Sequence, residues 1–247
     1  MKILAIESSG LTAGVAVVDE LRVIGEFSAN HKLSHSQTLM PMIDMLLALI
    51  EMSLEEMDAI ACSSGPGSFT GLRIGASTAK ALAYAANKPI APVPTIDALA
   101  YNVFDAYSLI APVMDARRSQ VYTSVYEWAS PESAASQPRL ARLSEYAAES
   151  VAEAVDKCAG YGRKVIFAGD GAVSLKEEIK AASEKSGLDY SFAPCAQTWQ
   201  RAASVGFLGI QAFREDATLD SDSFKPFYLR QSQAERELAE KARAQLN

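Results

Sequence analysis

Apolar and polar positions alternate along this chain in two rhythms. Residues 2–7 (KILAIE), 14–19 (GVAVVD) and 22–28 (RVIGEFS) are short apolar, β-rich runs separated by turn residues. They predict three strands in an antiparallel meander. The spacing turns helical over 36–52. The run DAIACS at 58–63 predicts a buried strand, the stretch to about Asn87 a helix, Pro89–Val93 a short strand and 95 to about 104 a helix. The order βββαβαβα is that of one α/β half with a mixed sheet. A second half opens near Ser108. SLIAPVMDA and VYTSVYEW (121–128) read as a strand pair. A helix around 144–158, the strand KVIFAG, a helix near 172–186, the strand DYSFA and a helix from about Thr198 to Arg214 follow. The Ala-, Ser- and Pro-rich stretch 129–139 reads as a loop. The expected architecture is α/β, with two halves of like element order: 1–106 plus about 215–230, and 107–214. A tail over 231–247, with three acids and three bases, completes the chain as a charged helix-former.

Two segments break the ordinary pattern. On helix 36–52 only Gln37, Asp44, Ala48 and Glu51 mark a polar edge. Apolar side chains cover roughly two-thirds of its circumference, more than packing on one sheet requires. The surplus, carried by Leu39, Met42, Ile43, Leu46, Ile50 and their neighbours, is buried either inside this chain or by a partner helix. The other segment is SSGPGSFTGLRIGASTAK, from Ser63 to Lys80. Gly65, Pro66 and Gly67 make a sharp turn that leads through Gly71 into a helix. Gly71, Gly75, Ala79 and Ala83 recur every four residues, so they form one row that another element can approach closely.

Composition limits the candidate chemistry. The net charge of −7 argues against a chain that grips nucleic acid by itself, although a local basic patch remains compatible with it. Cys62, Cys158 and Cys195 are scattered and odd in number, the usage of a reducing compartment. MKILAIESS is too short for a secretory signal and no run of about 18 apolar residues occurs, so a soluble cytoplasmic protein with no membrane partner is expected. With 49% hydrophobic and 21% charged residues, the chain has material for a large core.

Phosphate-binding and metal-binding readings remain to be weighed. The Ser8-Ser9-Gly10 turn behind Glu7 is either a plain hairpin turn or an approach for phosphates through backbone N–H groups. GPGSFTG lacks the spacing and lysine of a Walker A loop, yet its amides at a helix N-terminus suit an anion, with Arg73 near. A purely structural turn is the other reading. His31 and His35 have the spacing of a zinc pair on a helix, or simply form a polar helix entry. DARRSQVY (115–122) is a surface turn, a second phosphate-side loop or part of a partner surface. Asp170 in GDGA caps a helix or faces a ribose. No G-x-S-x-G elbow and no recognisable nucleophile context occur.

ILAIESS, SSGPGSFTGLRIGASTAKALA, PVMDARRSQVY, FAGDGA and KPFYLR together resemble the bacterial TsaB (formerly YeaZ) family, in order and along essentially the whole chain. The resemblance implies an actin-like fold, two ribonuclease-H-like halves of the class that includes acetate kinase, sugar kinases, Hsp70 and actin. It implies a part in making threonylcarbamoyladenosine in transfer RNA, at the adenosine next to the anticodon. The implied partners are the catalytic paralogue TsaD and the ATPase TsaE, with a homodimer in isolation and transfer RNA met only through the complex. Catalytic and metal residues are not expected, and ATP or ADP is expected at most at the partner interface, Ser8, Ser9, Gly10, Gly65 and Gly67 being weak candidates to touch it.

The chain departs from the pattern in two places. No histidine follows His35, so the metal-binding H-x-x-x-H of TsaD-type chains is missing. Glu7 stands where the family usually carries aspartate. The resemblance also implies that the two helices over 36–52 and 71–86 pack against a partner's pair. Leu46→Glu and Ala79→Glu are therefore expected to abolish pairing while the fold survives. The rival readings are a small actin-like ATPase or phosphotransferase, using the Ser8–Gly10 and Gly65–Gly67 turns, and a metallopeptidase.

Overall fold

A computed structural model describes residues 1–31, 34–130 and 138–230. The meander forms as expected: β1 (Lys2–Glu7), β2 (Ala13–Asp19) and β3 (Val23–Ala29) pair antiparallel. Then come α1 (His35–Leu49), β4 (Ala59–Gly65), α2 (Phe69–Ala86), β5 (Ile90–Pro94) and α3 (Thr95–Tyr101). β4 lies parallel to β1, and β5 parallel to β4, giving the order β3-β2-β1-β4-β5. β1, β2 and β4 are almost wholly buried, because helices cover both faces of the sheet. On one face Leu4, Ile6, Val15 and Val17 meet Leu39, Ile43 and Leu46 of α1 and Ala79 and Ala83 of α2.

The second half contains β6 (Leu109–Arg117), β7 (Gln120–Thr123), β8 (Tyr126–Ala129), β9 (Arg139–Arg142), β10 (Ala147–Ser150), α4 (Val151–Ala159), β11 (Val165–Ala168), α5 (Asp170–Ser174), α6 (Lys176–Ser186) and β12 (Tyr190–Phe192). Its sheet runs β10-β7-β6-β11-β12, with β8 paired to β6 and β9. α7 (Cys195–Thr198) and α8 (Ala202–Arg214) follow.

Several expectations change here. VYTSVYEW is two strands, split at Ser124 and Val125. The Ser124 hydroxyl donates to the Ser144 carbonyl at 2.6 Å, and the chain passes from the β10 side of the sheet to β9. The helix expected from 144 starts only at Val151, since 147–150 pair with β7. Ser150 and Glu153 cap α4 reciprocally. The 172–186 helix breaks at Leu175, and the helix expected from Thr198 begins at Ala202.

α8 packs on the first sheet rather than with the half to which the sequence assigned it. Ile3, Ala5, Ala16, Val18 and Ala61 bury against its Ala202, Val205 and Ile210. Both faces of β1 are apolar, so the sheet needs a second helical layer, and α8 supplies it. Residues 215–230 run back along the first half. Leu219 bridges Ile90, Phe224 enters the first core and the Phe227 amide donates to the Ser64 carbonyl at 2.9 Å. The tail expected as a helix over 231–247 lies outside the described residues, as does most of the 129–139 loop. Among the described residues no helix is long and apolar enough to cross a membrane.

Candidate functional site

Two hairpin turns face each other across the gap between the halves: the β1–β2 turn at Ser8–Thr12 and the β6–β7 turn at Arg117–Ser119. The glycine loop, the start of α5 and residues 228–230 close a cavity of about 520 Å³ between them.

The first turn is locked from inside. Ser8 and Ser9 are fully buried. The Ser8 amide donates to the Ser63 hydroxyl at 3.3 Å, and the Ser9 amide to Glu7 Oε1 at 2.6 Å. The glycine loop rests directly on this turn. The Ser68 amide donates to the Ser9 carbonyl at 2.7 Å, and the Ser8 hydroxyl to the Gly71 carbonyl at 2.9 Å. A Cβ on Gly67 would lie 2.3 Å from the Ser9 carbonyl oxygen, and one on Gly71 2.1 Å from that of Ser8. Gly65 has a positive φ of 116° and passes under the Phe227 carbonyl, a conformation and a clearance that glycine alone meets easily. The amides of Ser8, Ser9 and Ser68 thus have partners within the protein. The side chain of Gln200 also lies over Gly10, where a Cβ would fall 2.6 Å from its amide nitrogen. The amides of Ser8, Ser9 and Ser68 therefore do not serve a phosphate cradle, which needs free N–H groups converging on open space.

Of the five candidates, Ser8, Ser9 and Gly65 are buried structural positions, and only Gly10 and Gly67 join Ser9 in lining the cavity. The cavity lining contains neither histidine nor cysteine, and its carboxylates are Asp115 and Asp170. Asp170 begins α5 and receives a hydrogen bond from Gln200 at 3.4 Å. Burial raises its carboxyl above the usual carboxylate range. It lines the cavity rather than simply capping a helix. His31 lies before α1, which starts at His35, so the two histidines share no helix face. His35 Nε2 donates to the Gly10 carbonyl at 2.9 Å. Among the described residues no three of His, Cys, Asp and Glu converge as a metal site.

The docking residues expected from sequence need correction. Leu39, Ile43 and Leu46 are buried in this chain's own core, and Met42 and Ile50 are half-buried against it. The row Gly71, Gly75, Ala79 and Ala83 is buried too, facing Ser8 at its start and the first sheet beyond. The close approach that the row permits is used by the protein's own strand turn. The apolar side chains left in solvent are others: Met40, Met45 and Leu49 on α1, with Met45 62% and Leu49 70% exposed, and Tyr84 on the neighbouring α2 at 80%.

One polar cluster had no sequence signal. Asp97 of α3 accepts the hydroxyls of Tyr126 and Tyr146 at 2.6 and 2.8 Å, and Arg142 lies 4.1 Å over the Tyr146 ring. Tyr146 falls in a stretch with helical spacing, and only the β10 pairing turns it toward Asp97.

Three antiparallel strands continued by two parallel ones, helices on both faces, and a second α/β half across a cleft define an actin-like protein. YeaZ from Pseudomonas aeruginosa has this fold. It matches with a TM-score of 0.72 over 92% of this chain and 99% of that one, at 24% identity. The family model described as TsaD, tRNA N6-adenosine threonylcarbamoyltransferase, matches residues 22–238. The tRNA threonylcarbamoyladenosine biosynthesis protein TsaB of Bacillus subtilis is 32% identical over 235 residues, covering 95% of this chain and 96% of that protein. Its namesake in Haemophilus influenzae is 34% identical over 128 residues, 50% of this chain and 53% of the other. The chain belongs to the TsaB family.

Proposed function

We propose that this chain is a non-catalytic scaffold in the biosynthesis of threonylcarbamoyladenosine in transfer RNA, holding a TsaD-type catalytic subunit on the outer face of α1 and α2. The observation that carries this reading is the apolar surface left open on that helix pair, at Met40, Met45, Leu49 and Tyr84. Exposed methionine, leucine and tyrosine side chains are what an adaptable helix-to-helix interface uses. The cleft supports the same reading from the other side, since the Ser8 and Ser9 amides of its first turn are kept for internal bonds. An ATPase or phosphotransferase built on the Ser8–Gly10 and Gly65–Gly67 turns would need those amides free. TsaE joins the assembly on this reading, a second copy of this chain competes for the same helix face, and ATP or ADP sits at the partner interface. Transfer RNA is modified by the complex and not by this chain alone.

Co-expression with TsaD from the same source tests the reading. Met45→Glu with Leu49→Glu is expected to abolish co-purification while the circular dichroism and melting temperature stay near wild type. Leu46→Glu is expected to unfold the chain instead, because Leu46 is fully buried. If the doubly charged variant still pairs with TsaD as wild type does, the docking face is wrong.

A further inference from the structure

The turn between β6 and β7 is built against its own backbone preference. Arg117 pairs with Gln120, so Arg118 and Ser119 form a two-residue hairpin loop. Arg117, Arg118 and Ser119 have φ values of 63°, 58° and 55°. Asn-Gly is the cheap solution for such a loop, and an arginine at positive φ is costly. A strained residue kept in a turn points to a use for its side chain.

Two of the side chains here are guanidiniums, and a third reaches the same turn. Arg117 is held by Asp115, which accepts from its amide at 2.7 Å and from its guanidinium at 3.3 Å, yet its side chain is 82% exposed. Arg118 is exposed and has no acidic partner among the described residues. Arg230 comes from the far end of the chain and donates to the Ala116 carbonyl at 3.1 Å, which brings a third guanidinium to the same turn. Tyr228, two residues before it, is 39% exposed and packs on Phe69 at 5.1 Å between ring centroids. Arg73 covers Phe69 at 3.8 Å. A chain of net charge −7 thus gathers arginines and an open aromatic ring around the mouth of one cleft.

We infer that the β6–β7 turn, with Arg230 and Tyr228, is a contact surface for the phosphate backbone of an RNA. Arginine forks suit phosphate oxygens, and an exposed ring beside them suits an unstacked base. This inference rests on the scaffold reading for its choice of RNA over an acidic protein segment. The net negative charge agrees with a contact that adds to a complex's grip rather than supplying it alone.

The test titrates a fluorescein-labelled anticodon stem-loop RNA against the complex with TsaD over a range of salt concentrations. Arg117→Ala with Arg118→Ala is expected to weaken binding about tenfold at physiological salt and to lower the slope of log affinity against log salt by about 2. TsaD co-purification stays unchanged. A second variant, Arg118→Asn with Ser119→Gly, guards against misfolding. It relaxes the turn and is expected to melt higher than wild type while still lowering the slope by about 1. Unchanged RNA affinity and slope in both variants overturn the inference. Loss of TsaD with RNA affinity untouched also overturns it, because the arginines then hold an acidic protein surface. Where the scaffold reading fails and no complex forms, the same titration on the isolated chain decides: a slope difference between wild type and the variants upholds the RNA contact, and its absence rejects it.

Discussion

Glu7 is the residue with the most chemistry to explain. It is buried at the end of β1. One carboxylate oxygen accepts from both the amide and the hydroxyl of Ser9, while the other has no partner. Burial pushes its carboxyl up to about 7, and the bonds from Ser9 only partly oppose this. The native protein therefore favours the protonated form more than the unfolded chain does, whose glutamate titrates near 4.5. That contribution to stability is complete below 4.5 and is lost as pH rises through 7, about 3 kcal/mol in all. Urea unfolding at a series of pH values should show the fall across this window in wild type. Glu7→Gln keeps the acceptor for Ser9 and cannot ionise, so its curve should lack that component. Equal slopes in the two proteins would falsify the assignment. The sequence displayed Glu7 as a departure from the family's aspartate. Its protonation was not legible there, because it depends on Ser9, Ser63 and Cys62 closing around it.

At the scale of elements, α2 shows how a correct pattern leaves its target open. The four-residue row of small side chains was plain in the sequence, and the helix forms where expected. A row of small residues says that something comes close without saying what. Here it is the Ser8 turn. Because a Cβ at Gly71 would meet a backbone carbonyl at 2.1 Å, Gly71→Ala is expected to lower stability by about 1–3 kcal/mol, read as a drop in melting temperature. Helix propensity alone would favour alanine by about 1 kcal/mol, so a rise in melting temperature would place this face of α2 in solvent instead. Gly75→Ala meets the Ser8 hydroxyl, a side chain that can rotate away, and should be milder. α1 repeats the lesson. Its surplus of apolar residues was legible, but which of them face the core follows from the helix's rotation on β2, which puts Leu39, Ile43 and Leu46 inside and Met45 and Leu49 out. The start of α4 had a usable signal that helical spacing outweighed: Ser150 and Glu153 carry the capping-box spacing.

For the whole molecule, the question is what holds the halves at one angle around the cleft. Apolar packing of Ile96, Leu99 and Val103 against Ile110, Met114 and Ala168 does part of this, and two polar ties, each joining residues distant in sequence, add to it. Asp97, on the helix that leaves the first half, takes the hydroxyls of Tyr126 and Tyr146 from the second. Residues 224–230 then run along the cleft. Phe224 is anchored in the first core, the Phe227 amide on Ser64, the Phe227 ring against Tyr146 at 5.9 Å, and Arg230 on Ala116. Tyr146 belongs to both ties, so loss of Asp97 should loosen both. Asp97→Ala leaves two mostly buried tyrosine hydroxyls without their acceptor, at a cost of about 1–3 kcal/mol for each group left unpaired. The penalty falls on the junction and not on either core. Urea unfolding followed by tryptophan fluorescence and by circular dichroism should therefore separate into two transitions in the variant, where wild type shows one. Trp128 reports on the junction, since its indole N–H donates to the Val103 carbonyl at 2.7 Å beside α3. Coincident transitions with an unchanged midpoint would mean that the apolar packing of Ile96 and Leu99 against Ile110 and Met114 couples the halves without help from the tyrosines.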